Sequence, residues 1–392
     1  MHSPRPVKPK VVTLKQLLQD VASAQRATIV FGAGVSVALA GAKASWTAFL
    51  NSLVNSVSDR YTSSYCNGSG TSHWVGAEAL EHRLHTIRSL SHGDPDAAVA
   101  ATYLIDRVHS VHGWRSSSPG AWSPLARNDD INKVSYEVEE EWQKRSGTDA
   151  TVQRWNKILH RLGDHARAGK VFLITTNFDH CIARATGLPI FLGGWCSPFN
   201  RQFPARFYQP RPEGVVIRAN RTHDQHAWMD TDIQNSNTMG IAPQVHAQAW
   251  RTPGHIPRSW WQDLATVFHV HGSRLASPSI VFDASSYSML DHGAPILQSS
   301  EILRCLLSTP TMSGPVIFVG CKGTLLDPHF IQYWNKTSTT ISPVTVLQRA
   351  GEIDPLAREM YGHFLVSPPT FCSFGKNHDS LPQALERIVA MI

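Results

Sequence analysis

The chain has 392 residues, room for one large domain with an insertion or for two domains. Hydrophobic residues make up 42% and charged residues 17%, which excludes a disordered or collagen-like chain and fits a soluble globular protein. The formal charge of +6 is small for this length, and no Lys/Arg block follows the Pro-rich start MHSPRPVKPK. That excess reads as solubility, with a nucleic-acid or other anionic-partner surface left open.

In chain order, Leu14, Leu17, Leu18 and Val21 recur at helical spacing. The apolar run TIVF (28–31) predicts a strand, and it breaks into GAGVS (32–36) before a second helical pattern. Trp46, Phe49, Leu50, Leu53, Val54 and Val57 fall on one helix face. This is the opening of a nucleotide-binding α/β sheet. Residues 60–165 read as a helical insertion, with Val152, Trp155, Ile158, Leu159 and Leu162 on one stripe. The sheet resumes at VFLITTNFDH (171–180). Residues 185–262 are rich in Pro, Asn, His and Trp and lack a clear period, so they are expected to form a cap or small subdomain. Strand signals return as TVFHVHGS (266–273), SIVFD (279–283), PVIFVG (315–320) and PVTVL (343–347). A last helix is expected around Leu381, Leu385, Ile388 and Val389. Strands separated by helical stretches predict a parallel sheet covered on both faces, spanning 11–392.

Six cysteines, at 66, 181, 196, 305, 321 and 372, include no C-x-x-C pair. This argues against a zinc ribbon and, at this size, against a disulfide framework. Reduced thiols in a cytoplasmic protein fit best. The N-terminus lacks the apolar core of a signal peptide. The least charged stretch, Ala27–Ala42, is about 16 residues, short for a membrane span of ~20. The paired histidines of EHRLH (81–85) and HDQH (223–226) have no third ligand at a telling distance, so no metal is expected.

Four strand ends carry polar or glycine motifs. GAGVS can be a tight strand-to-helix turn, or a seat where bare backbone amides and a helix dipole receive phosphate. The full G-x-G-x-x-G spacing is absent, because position 37 is Val, and no P-loop is present. In TTNFD (175–179), Asn177 and Asp179 can face a cleft or cap the next helix in an Asx turn. In HVHGS (269–273), His271 is a candidate general base or a satisfied buried histidine. In VIFVGCKGTLLDPHF (316–330), Gly320 ends a strand and Asp327-Pro328 follows.

The order of these four motifs resembles the sirtuin superfamily, and most of all its zinc-less bacterial branch of NAD-consuming enzymes in anti-phage defence. The resemblance covers roughly 11–60, 165–185 and 264–350. Two features depart from the deacylases: the two C-x-x-C pairs of the zinc module are absent, and GAKASW (41–46) replaces their Gly-Ile-Pro-x-Phe-Arg stretch. The resemblance therefore implies a Rossmann-like NAD+ glycohydrolase that releases nicotinamide and ADP-ribose, with NAD+ as substrate and no metal. It implies that Gly32, Ala33, Gly34 and Ser36 hold the phosphates with Thr176 beside them. It implies that Asn177 positions ribose and water, that His271 accepts a proton, and that Asp179 braces the loop or touches the nicotinamide side. Gly320 and Asp327 would shape the adenosine side. Free NAD+ hydrolysis is toxic, so the resemblance further implies gating, by homo-oligomer assembly or by a separate partner such as a HerA-type DNA-translocating ATPase, a short Argonaute or a phage component. The 12 tryptophans suit such an interface or a second core. The alternatives are a protein deacylase or ADP-ribosyltransferase using the same cofactor, and a catalytically silent NAD- or DNA-binding scaffold.

Overall fold

In the computed structural model of the chain, the residues described are 10–45, 48–49, 124–192, 195–196, 202–203, 206–210, 228–231, 265–273, 314–321, 344–351 and 369–392. Most of the helix expected over 46–57, the insertion up to 123, the strand expected at 279–283, and Asp327 lie outside them.

The architecture is α/β, built on a sheet of ten strands in the order β1-β12-β11-β10-β2-β3-β9-β4-β7-β8. The strands are β1 (Val11–Val12), β2 (Ala27–Phe31), β3 (Val171–Thr175), β4 (Ile190–Leu192), β7 (Arg206–Pro210), β8 (Trp228–Thr231), β9 (Val267–His269), β10 (Val316–Val319), β11 (Val344–Gln348) and β12 (Thr370–Ser373). A separate two-stranded sheet pairs β5 (Trp195–Cys196) with β6 (Gln202–Phe203). The first eight strands in the sheet order run parallel. β7 and β8 close one edge antiparallel, so three strands of the 185–262 segment belong to the main sheet.

From β2 the chain steps to β3, runs to β4, β7 and β8 at the edge and comes back as β9 between β3 and β4; it then returns beside β2 as β10 and steps the other way through β11 to β12. The strand order therefore reverses between β2 and β10. In an open parallel sheet, the loops leaving two such strands diverge to opposite faces and leave a crevice at their C-terminal ends.

The central strands are apolar and fully buried, as a sheet covered on both faces demands. One row of the sheet aligns Cys372, Leu347, Val319, Phe31, Thr175 and His269. This row shares a face with a core of α1 (Leu14–Ser23), α2 (Ala33–Ala40), α3 (Pro124–Ser146), α4 (Ala150–Arg167), α5 (Cys181–Thr186) and α6 (Ser380–Val389). The apolar row thus turns polar only at β3 and β9.

Local chemistry accounts for the helices. Thr13 caps α1 through Oγ1, which accepts from Gln16 N, and Leu17, Leu18 and Val21 are buried. Asp149 caps α4 by accepting from the amides of Thr151 and Val152. The expected α4 stripe, Val152 through Leu162, faces the core, and the Arg154–Glu386 ion pair joins α4 to α6. The described part of the insertion is the α3–α4 helical pair.

Candidate active site

The C-terminal ends of β10, β2, β3 and β9 lie level, because Val319 pairs with Phe31, Phe31 with Thr175, and Thr175 with His269. The residues that follow each end, Gly320, Gly32, Thr176 and the His271 loop, are thereby brought to one edge of the sheet.

Gly32, Gly34 and Gly320 touch one another through bare backbone. A Cβ on Gly32 would lie 2.7 Å from both Gly320 O and Cys321 Sγ, and one on Gly34 would lie 2.9 Å from Gly320 Cα. Gly320 has φ of 68°, a left-handed conformation that favours glycine. The Gly34 amide donates to Gly320 O at 2.9 Å, and the Val35 amide to Gly32 O at 3.0 Å. Close approach across the topological reversal therefore requires these glycines whether or not a ligand binds. The Gly32 amide also donates, to Val319 O at 3.0 Å, so three of the loop's amides are used within the protein. Ala33, the first residue of α2, carries an amide with no acceptor inside the helix, and Gly34 is exposed. A phosphate would meet the loop there.

Behind the loop, Ser36, Asn177 and Asp179 form one buried cluster. The Asn177 amide nitrogen donates both hydrogens, to Ser36 Oγ at 2.8 Å and to Gly32 O at 3.1 Å. Ser36 Oγ passes its own hydrogen to Asp179 Oδ2 at 2.8 Å. Asp179 Oδ1 accepts from the Cys181 amide at 3.1 Å, the Asx turn that starts α5. The two offices considered for this motif thus divide: Asp179 caps and braces, while Asn177 reaches the glycine loop. With both N–H groups engaged, Asn177 keeps Oδ1 as its remaining polar atom, an acceptor. Burial pushes the Asp179 carboxyl above its ordinary value, and the Ser36 and Cys181 hydrogen bonds pull it back. Burial, with Asp179 and Glu139 nearby, pushes the Cys181 thiol well up, so it stays a thiol and does not serve as a nucleophile.

Thr176 is held by its amide and its Oγ1, both directed at Phe31 O. Its carbonyl faces His271 Nδ1 at 3.1 Å. A carbonyl only accepts, so Nδ1 carries a hydrogen, and in the neutral ring the lone pair is on Nε2. That is the tautomer of a base. His269, two residues earlier at the end of β9, repeats the arrangement, with Nδ1 3.1 Å from Asn177 O. Burial holds its pKa at about 4, so His269 is neutral at physiological pH and serves to fix the Asn177 backbone.

The structure adds three residues that the motifs did not single out. Glu139 on α3, His180 and Ser273 are linked, with Glu139 Oε1 3.2 Å from His180 Nδ1 and His180 Nε2 2.6 Å from Ser273 Oγ. A signal for Glu139 was present: it falls on the stripe of Ile131, Val134, Ser135, Val138 and Trp142, all buried. A carboxylate on an otherwise apolar or small-residue stripe has to be paired.

A groove of about 1000 Å³ lies between α3, α4 and α5, lined by Trp142, Lys157, His160, Arg161 and Arg184 among others. It includes none of the residues at the strand ends. The chemistry favours the strand ends, where base, amide and carboxylate converge. Among the described residues, no group of three or more His, Cys, Asp or Glu could hold a metal ion, and no helix is long and apolar enough to cross a membrane. No protein-family model and no curated protein matches the chain.

Proposed function

We propose that this protein is a sirtuin-like NAD+ glycohydrolase, cleaving NAD+ to nicotinamide and ADP-ribose. The observation that carries the reading is the convergence of the glycine contact, the Asn177–Ser36–Asp179 cluster and the Nδ1-protonated His271 at the crevice where the strand order reverses. Sheets with this reversal bind dinucleotides across it.

The bond to be broken joins the ribose to a cationic nicotinamide ring. Nicotinamide departs neutral with the bonding pair, so no strong acid is required, and the sugar passes through an oxocarbenium-like state. The Ala33 amide and the α2 dipole favour the pyrophosphate. Asn177 Oδ1 accepts from a ribose hydroxyl or from the attacking water. His271 Nε2 takes the water's proton as the oxygen bonds to the anomeric carbon. Asp179, set behind Ser36, keeps the cluster aligned and adds negative potential as positive charge develops on the sugar.

A deacylase or ADP-ribosyltransferase would use the same cofactor site but needs an acceptor. Supplying NAD+ with and without an acetyl-lysine peptide separates these readings: hydrolysis proceeds equally in both, whereas turnover that requires peptide would favour the deacylase. Toxicity requires restraint, and the reading includes a homo-oligomer with low basal activity until a partner or trigger acts. A strict monomer by light scattering at micromolar concentration would count against that assembly.

A further inference from the structure

Three residues outside the chemistry above form a buried chain from α3 to both loops of the site. Glu139 Oε1 accepts the His180 amide at 2.9 Å and lies 3.2 Å from His180 Nδ1. His180 Nε2 lies 2.6 Å from Ser273 Oγ. In the tautomer with its proton on Nδ1, the ring accepts the serine hydrogen at Nε2. The order carboxylate–imidazole–hydroxyl is that of a nucleophile relay. Yet His180 and Ser273 are 0% exposed and Glu139 1%, so no substrate reaches the serine oxygen.

The chain's position gives it a different task. His180 directly follows Asp179 and sits three residues after Asn177, and Ser273 sits two residues after His271. The ring of His180 also meets that of His269 edge-on, with centroids 5.6 Å apart. His180 thus holds the Asn177 loop and the His271 loop together, and Glu139 anchors it to a helix of the insertion. Arg184 Nη1, 3.7 Å from Glu139 Oε2, supplies a counter-charge to the carboxylate. Apolar residues would fill this volume without desolvating a carboxylate. Directional bonds fix orientation in a way that apolar packing does not.

We propose that Glu139, His180 and Ser273 are positioning residues, through which helix α3 sets the placement of Asn177 and His271. The proposal rests on the NAD+-cleavage reading for its activity readout. It has a second readout that does not.

The experiment compares full-length wild type with Ser273→Ala, Ser273→Thr and Glu139→Gln, the last keeping an oxygen toward the His180 amide. Hydrogen–deuterium exchange is followed in peptides covering 172–182 and 266–274, alongside NAD+ kinetics and unfolding midpoints. A misplacement near 1 Å costs on the order of 100-fold in rate. Ser273→Ala and Glu139→Gln should therefore speed exchange in both peptides and lower kcat about 10- to 100-fold, with KM for NAD+ changed by less than about threefold. Ser273→Thr should restore both. Unchanged exchange in the two peptides overturns the proposal, as does faster exchange with wild-type kcat. If wild type cleaves no NAD+, the cleavage reading falls alone. Faster exchange in Ser273→Ala then still supports the relay's hold on the loops, and unchanged exchange still overturns it.

Discussion

Gly34→Ala asks what the glycine loop is for. The substitution adds one methyl group, whose carbon would lie 2.9 Å from Gly320 Cα and O and 3.2 Å from Gly320 C. Ordinary contact begins near 3.4 Å, so the two loops must part by about 0.5 Å. The obstacle is backbone on both sides, fastened by the 2.9 Å bond from Gly34 N to Gly320 O, and no side chain can swing away. Overpacking of this kind costs about 1–3 kcal/mol, and weakening the hydrogen bond adds roughly 1 kcal/mol. Helix propensity returns up to about 1 kcal/mol. The expected net loss is about 1–3 kcal/mol, read from the midpoint of urea unfolding followed by tryptophan fluorescence. An unchanged midpoint together with a raised KM for NAD+ would refute the packing argument and assign the glycine to the ligand alone.

Other substitutions and conditions test the site itself. Asn177→Ala and His271→Ala should each lower NAD+ cleavage by ~10²–10⁴ with the fold retained, as judged by circular dichroism. A folded Asn177→Ala protein with wild-type turnover would remove the assignment. Because His269 titrates at about 4 when folded and near 6.5 when unfolded, the unfolded chain binds the extra proton in that window. Stability from this group is complete above about pH 6.5 and is lost by pH 4, some 3 kcal/mol in all. Asp179, whose carboxyl is raised, acts with the opposite sign and gains stability as the pH falls. His269→Gln should therefore flatten the acid-side fall of thermal midpoints, and a slope equal to wild type would contradict the assignment. Dialysis against EDTA should leave cleavage unchanged; a loss restored by zinc would contradict the metal-free reading drawn from the missing C-x-x-C pairs.

Much of the frame was legible because its signals are local. β2, β3, β9, β10 and β11 are short apolar runs that stop at Gly, Thr, His or Gln, and α1, α4 and α6 show their buried stripes at helical spacing. Other parts depend on partners far along the chain. The sequence shows that position 34 is bare, but not that Gly320 fills the space beside it. β7 and β8 carry weak periodicity because an edge strand is specified by the neighbour it pairs with, here β4 for β7 and β7 for β8. Asn177 and Asp179 stood out as a pair, yet their division of labour follows from Ser36, which lies on another element. Glu139 sits within the charged run EVEEEW (137–142); helical spacing sets it on the apolar stripe, but its partner His180 comes from another element.

NAD+ cleavage is read by incubating the purified full-length protein with NAD+ and quantifying nicotinamide and ADP-ribose chromatographically, with Asn177→Ala run in parallel. Cleavage through Asn177 requires equimolar release of the two products by wild type, slow for the isolated chain, and none above background with Asn177→Ala. NAD+ left intact at every protein concentration, or equal release by the two proteins, would contradict it.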